Sequence, residues 1–281
     1  MPGPLRPTDL PTDVRLVAAD MDGTLLDERG KIPEAFWPLL RRLHGRGIVF
    51  APASGRQYPA LAAMFARADA GLALIAENGA YVVRDGAEIS SSTVEAEAAE
   101  QVVRQVRRLA AEHDLGLVWS GRRSAYVERA EEAFVAEAGR FYTSLQVVDD
   151  LLAAPEPPLK FAVFDFAGAA NSREVLAAAL HPFQVVMSGV HWMDIMDPRV
   201  NKGVALRALQ RALGVAPEQT VVFGDYLNDL EMLEEATHSF AMANAHPVVA
   251  EVARHRAPSN REHGVLSTLE RLLDEAAEPA G

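Results

Sequence analysis

Two carboxylates sit two residues apart in Asp20-Met21-Asp22-Gly23-Thr24, directly after the apolar run Val14-Arg15-Leu16-Val17-Ala18-Ala19. Side chains alternate along a strand, so positions i and i+2 at a strand end point the same way. Carboxylates held close together repel unless a cation or a shared proton intervenes. A hard divalent cation with oxygen ligands, such as Mg²⁺, meets that need. Gly23 lets the chain turn sharply after the pair, and the Thr24 hydroxyl is a short donor. A lone Asp here would read as a turn or helix-cap residue; the whole string after an apolar strand points to chemistry. A second acidic cluster, Gly224-Asp225-Tyr226-Leu227-Asn228-Asp229, follows Val221-Val222-Phe223. Asp225 falls at a strand's carboxyl end, as Asp20 does, so adjacent strands would make three carboxylates converge. Asp229 reads equally well as the N-cap of the next helix.

Two further pieces suit an anion. Ser54-Gly55-Arg56 offers a hydroxyl and backbone N–H groups near a helix start, a natural phosphate cradle. Alone, the triplet also fits an ordinary helix cap. Asn201-Lys202-Gly203 puts a lysine before a helix. A lone lysine is usually a solvated surface residue; its place just ahead of the second acidic cluster is what singles it out.

These residues need a scaffold that brings strand ends together. The run before Asp20 predicts a short buried strand, and Ile48 to Ala51, Leu72 to Ala76 and Thr220 to Phe223 predict others. Helical spacing falls between them at Pro33 to His44, Tyr58 to Ala66 and Val204 to Leu213. Such alternation argues for an α/β fold, a Rossmann-like parallel-sheet core with helices on both faces, whose ligands bind beyond the carboxyl ends of the strands. Polar residues gather at those ends, at Asp20, Ser54 and Asn78. The pattern changes after about residue 88. A long amphipathic helix, Val94 to Glu112, precedes a hairpin around Gly121-Arg122-Arg123 and another around Gly189-Val190. Hairpins imply antiparallel pairing. Residues 88–197 therefore read as an inserted α+β domain, and residues 1–87 and 198–281 as one discontinuous core. Alternation resumes to a last helix from about Val265 to Ala276.

In the order acid pair, hydroxyl, lysine, acid pair, the sequence resembles the haloacid dehalogenase-like phosphatases. More narrowly it resembles their Cof-type subfamily, which carries a large α+β cap after the third core strand. The matching strings are Asp20-Met21-Asp22-Gly23-Thr24-Leu25-Leu26, Ser54-Gly55-Arg56, Glu77-Asn78-Gly79-Ala80, Asn201-Lys202-Gly203, Gly224-Asp225-Tyr226-Leu227-Asn228-Asp229 and Ala241-Met242-Ala243-Asn244-Ala245. The resemblance implies that Asp20 attacks phosphorus and that Asp22 acts as general acid, then base. It implies Mg²⁺ on Asp20, Asp225 and the backbone carbonyl of Asp22. It implies that Ser54, Gly55 and Lys202 hold phosphate oxygens, that Asn228 positions phosphate or the metal shell, and that Asp229 orients Lys202 or a metal-bound water. Thr24 is expected among the substrate-binding residues and as a support for Asp22. Ser54 stands where threonine is common, which keeps the hydroxyl. Asn260-Arg261-Glu262-His263-Gly264-Val265 matches the family's acidic segment only loosely, and no role follows for it.

Composition narrows the rest. With 281 residues, 49% hydrophobic and 23% charged, the chain has the balance of a globular protein with room for two domains. A formal net charge of -12 lacks the electrostatic footprint of a nucleic-acid binder, while a small anionic substrate stays compatible with a few local cations or a metal. The absence of cysteine excludes disulfides, thiolate metal sites and a cysteine nucleophile. Met1 to Asp13 does not read as a signal peptide, and no run of about 18 apolar residues predicts a membrane span, so a cytoplasmic location is expected. The expected partner is a small phosphorylated metabolite, with its identity and the choice between monomer and homodimer left open. Arg122, Arg123, His191 and Trp192 lie at hairpin turns and read either as ordinary turn residues or as substrate contacts. Two rival functions remain: a phosphomutase, and a phosphate-responsive binding protein that turns nothing over.

Overall fold

The computed structural model describes residues 13–69 and 71–275. Met1 to residue 12, in the stretch that does not read as a signal peptide, and Ala276, the expected end of the last helix, lie outside the described residues. The chain falls into two compact units. One gathers the chain up to Gly55, Met64–Ser90 and the chain from Asn201 onward; the other holds Arg56–Ala63 and Ser91–Val200.

In the first unit the strands are β1 (Leu16–Asp20), β2 (Val49–Ala53), β3 (Ala73–Ala76), β4 (Tyr81–Arg84) and β5 (Ala87–Ser91). In the second unit they are β6 (Leu115–Ser120), β7 (Ala125–Val127), β8 (Leu145–Val147), β9 (Lys160–Asp165), β10 (Gln184–Met187) and β11 (Trp192–Met196). The chain then returns to the first unit with β12 (Thr220–Gly224), β13 (His238–Met242) and β14 (His255–Ala257). The helices are α1 (Phe36–Gly45), α2 (Tyr58–Met64), α3 (Ala96–Leu109), α4 (Glu132–Gly139), α5 (Ala169–Ala179), α6 (Lys202–Leu213), α7 (Leu230–Glu234), α8 (Pro247–Val252) and α9 (Gly264–Glu275).

The first sheet has the order β14-β13-β12-β1-β2-β3-β4-β5. From β14 to β3 neighbouring strands run parallel; β4 turns antiparallel against β3. Every residue of β1 is buried, as expected of a central parallel strand covered on both faces. Leu16 and Ala18 face a cluster with Leu206 and Leu209 of α6, Met232 and Leu233 of α7 and Val249 of α8. On α1, Phe36 sets its ring edge-on to Phe50 of β2 at 4.9 Å. Each such fully buried apolar side chain contributes about 1.5–3 kcal/mol.

The second unit holds a six-stranded sheet, β10-β11-β9-β6-β7-β8, antiparallel except for the β7–β8 pair. Both hairpins expected from the sequence are present. The valines of α3 and Leu176 of α5 pack with Trp119 and Phe161 in one cluster, while Phe134 of α4, Phe164 and Trp192 form another. Among the described residues no helix is long and apolar enough to cross a membrane.

The unit boundaries differ from the sequence reading. The expected break after residue 87 falls inside β5, which belongs to the first sheet. The β4–β5 hairpin was legible: Asp85-Gly86, both with positive φ (49° and 78°), is a two-residue hairpin signal. The return to the first unit comes at Asn201, not 198, and the start of α2 groups with the second unit.

Candidate active site

Strand register sets the site. Asp20, the last residue of β1, pairs with Ala53 of β2, so Ser54 lies one step beyond it. On the other side Ala19 pairs with Phe223, which brings Asp20 level with Gly224 and puts Asp225 just past the sheet edge. Gly224 is in turn level with Ala241 of β13. Four parallel strands thus end together, and the polar residues of four separate segments emerge there.

Asp20, Asp225 and Asp229 each offer a carboxylate oxygen, and these atoms lie within 4.8 Å of one another. Lys202, the first residue of α6, is wholly buried among them, with Nζ 2.5 Å from Asp20 Oδ1 and 2.7 Å from Asp229 Oδ1. Lys202 is thus a core residue, where the lysine by itself read as a solvated one. Its helix is started by Asn201, whose Oδ1 accepts from the Val204 N–H at 2.8 Å. Asp229 does more than an N-cap would. Its Oδ2 accepts from the N–H groups of Asp225 (3.0 Å) and Tyr226 (3.1 Å), so it fixes the turn that carries Asp225 while it pairs with the lysine.

Burial of Asp20, together with the charge of Asp229, drives its carboxyl well above the usual carboxylate range, and Lys202 only partly offsets this. Burial, reinforced by Asp229, likewise pushes Asp225 up to about 6 against the opposing Thr24 hydrogen bond and Lys202. Burial alone would lower the Lys202 ammonium, but the Asp20 and Asp229 carboxylates outweigh it and hold it above its ordinary value. Three carboxylates gather around one ammonium, and burial raises the carboxyls of Asp20 and Asp225. An all-oxygen donor set of this kind suits a hard divalent cation, and the residues present fit one.

Asp22 is exposed on the turn Met21–Leu25, and its carboxylate is outside the buried acidic group. Thr24 departs from its expected role. It is buried, and its hydroxyl donates to Asp225 Oδ1 at 2.8 Å, so it supports Asp225 and not Asp22. Ser54 is buried, with its N–H on the Ile75 carbonyl. Asn78 then donates its own N–H to the Ser54 carbonyl at 2.9 Å and accepts at Oδ1 from Asn228 Nδ2 at 3.2 Å. Asn78 therefore ties the Ser54-Gly55 turn to the second acidic loop. The sequence reading placed it at a strand end without a role; the Asn78-Gly79 dipeptide, a turn signal, was available, and Asn78 takes the left-handed φ of 54° that such a turn asks for.

In the second unit, Trp192 is buried in the aromatic cluster and His191 Nδ1 donates to the Asp165 carbonyl at 2.8 Å. Both are accounted for by packing. Arg122 donates to Ser91 Oγ at 2.7 Å, and Arg123 is exposed.

Residues 17–269 match the model of the haloacid dehalogenase-like hydrolases, and the chain belongs to that family, in its Cof-type branch. Among its relatives is the 5-amino-6-(5-phospho-D-ribitylamino)uracil phosphatase YbjI of Escherichia coli, 33% identical over 94% of this chain and 98% of the relative. The HMP-PP phosphatase of Cronobacter sakazakii is 29% identical over 83% of this chain and 85% of its own length. In solved structures the fold recurs in TM0651 from Thermotoga maritima, with a TM-score of 0.82 at 27% identity, covering 92% of this chain and 97% of that one.

Proposed function

We propose that the chain is a Mg²⁺-dependent phosphatase of small phosphorylated metabolites that works through an aspartyl-phosphate on Asp20. The observation that carries this reading is the meeting of the Asp20, Asp225 and Asp229 carboxylates around one buried lysine. A carboxylate oxygen of Asp20 attacks phosphorus as the bond from phosphorus to the leaving oxygen breaks, and Asp22 gives its proton to that oxygen. In the second step Asp22 takes a proton from water, the water oxygen joins phosphorus, and the bond to Asp20 breaks to release inorganic phosphate. The exposure of Asp22 beside buried neighbours suits this exchange of protons. The Ser54 hydroxyl, the Gly55 N–H and Lys202 hold the phosphate oxygens. Asp20, Asp225 and the Asp22 carbonyl would hold Mg²⁺, which when bound supplies charge stabilisation to the transferring group. Asp229 keeps Lys202 oriented, Thr24 acts through Asp225, and Asn228 acts with Asn78. We assign the choice of substrate to the inserted unit.

The test is phosphate release across sugar phosphates, nucleotides, HMP-PP and the phosphorylated ribitylaminouracil. Release is expected with Mg²⁺ and without any sugar acceptor, lost with chelator, and reduced by at least about 10³-fold in Asp20→Asn, which keeps its fold. Wild-type rates from Asp20→Asn protein free of contaminating phosphatase would sink the mechanism. A requirement for a sugar acceptor would turn the reading toward a mutase.

A further inference from the structure

Two asparagines that the reaction scheme does not use grip the turn that carries Asp22. The turn closes on itself through the Leu26 N–H, which donates to the Met21 carbonyl at 2.9 Å. Outside it, Asn244 Nδ2 donates to the Gly23 carbonyl at 2.8 Å. Asn260 Nδ2 donates to the Leu26 carbonyl at 2.9 Å, and the Asn260 N–H donates to Asn244 Oδ1 at 3.2 Å, so the two side chains brace each other. The loop holding Asn244 also sends the His246 N–H to the Asp225 carbonyl at 2.8 Å. One loop after β13 is therefore bonded to both acid-bearing turns.

We propose that Asn244 and Asn260 are positioning residues that aim Asp22 at the leaving oxygen, an inference that rests on the phosphatase reading. Asp22 is exposed on a turn whose neighbours Met21, Thr24 and Leu25 are buried, and Gly23 in that turn takes φ +87°, a conformation glycine adopts without strain. Proton transfer needs heavy atoms within about 2.6–3.2 Å. A misplacement of about 1 Å costs on the order of 10²-fold in rate. The amide of Asn244 is suited to the task because it donates to one turn and accepts from the other support at once.

The test compares kcat/KM for an alkyl phosphate and for p-nitrophenyl phosphate, since kcat/KM reports transfer to Asp20 and not the later hydrolysis. An alkoxide needs a proton to leave; p-nitrophenolate does not. In Asn244→Ala and Asn244→Asp, the alkyl substrate should lose about 10- to 100-fold and the aryl one about 3-fold or less, a weaker copy of Asp22→Asn. Asn244→Asp keeps an acceptor for Asn260, loses the donor to Gly23 and adds a negative charge, while Asn244→Ala loses both bonds without adding charge. Hydrogen exchange in residues 21–26 should quicken with Tm nearly unchanged. Equal losses on both substrates, no loss, or unchanged exchange would overturn the clamp. If the wild-type enzyme hydrolyses neither of these nor any phosphate ester of the panel above, the phosphatase reading fails and exchange alone decides the clamp.

Discussion

Gly23 leaves no room at the site for a side chain. A Cβ there would sit 2.3 Å from Asp225 Oδ2, and its φ of +87° strains any L side chain. Gly23→Ala must therefore displace either the Asp22 turn or Asp225. We expect a destabilisation of about 1–3 kcal/mol and a loss of Mg²⁺ affinity of at least about 10-fold. Calorimetric titration with Mg²⁺ beside urea unfolding checks this; unaltered Mg²⁺ binding would show that the close approach does not matter. Lys202 makes the complementary point. A lysine is seldom fully buried unless paired, and here two carboxylates pair it. Its residue type was visible from the start, but its burial depends on helix α6 packing against β3 and the Glu77–Gly79 turn, where a Cβ on Gly79 would meet the Asn201 carbonyl at 2.3 Å.

At the scale of elements, the β6–β7 hairpin turn shows how one buried acid can organise a loop. The Glu156 carboxylate accepts from the N–H groups of Arg122, Arg123 and Ser124 and from the Tyr126 hydroxyl at 3.0 Å. Glu156→Ala leaves these donors without their acceptor and should destabilise by roughly 3 kcal/mol, read from the urea midpoint. Burial, then the hydrogen bond to Glu156 and its charge, pushes Tyr126 up to about 12. A raised folded value means the unfolded chain loses its proton first. The contribution is thus complete below about pH 10 and is lost as pH climbs from 10 through 12. Tyr126→Phe should flatten the fall in stability over that window, and an unchanged slope in alkaline unfolding curves would contradict it. The hairpin itself was legible from Gly121-Arg122-Arg123 between apolar runs. The role of Glu156 was not, because it approaches from more than thirty residues away.

For the whole molecule, the formal net charge is -12, and three of its 39 acidic side chains meet one ammonium at a single place. A divalent ion bound only by the folded chain stabilises it by mass action, about 2.7 kcal/mol at a hundred times Kd. Tm should therefore rise by several degrees with Mg²⁺, and the rise should vanish in Asp225→Asn; equal shifts in both proteins would place the ion elsewhere. The inserted unit carries its own sheet and its own apolar clusters. That independence explains why its strands and helices could be read locally even though the exact points of insertion could not. Short strands such as β8 and β14, three residues each, were passed over because so few residues carry no periodicity of their own.

The order of the motifs, the alternation of strand and helix, and the residues able to hold an ion were all present in the chain as written, because covalent neighbours and hydrophobic spacing dictate them. Tertiary structure decided which of those acids meet. It turned Thr24 toward Asp225, put Asp229 in the buried group in place of the Asp22 carboxylate, and brought Asn78, Asn244 and Asn260 against loops far away in sequence. Such partnerships depend on strand order and register, and those are set by the burial of both faces of the sheet as a whole.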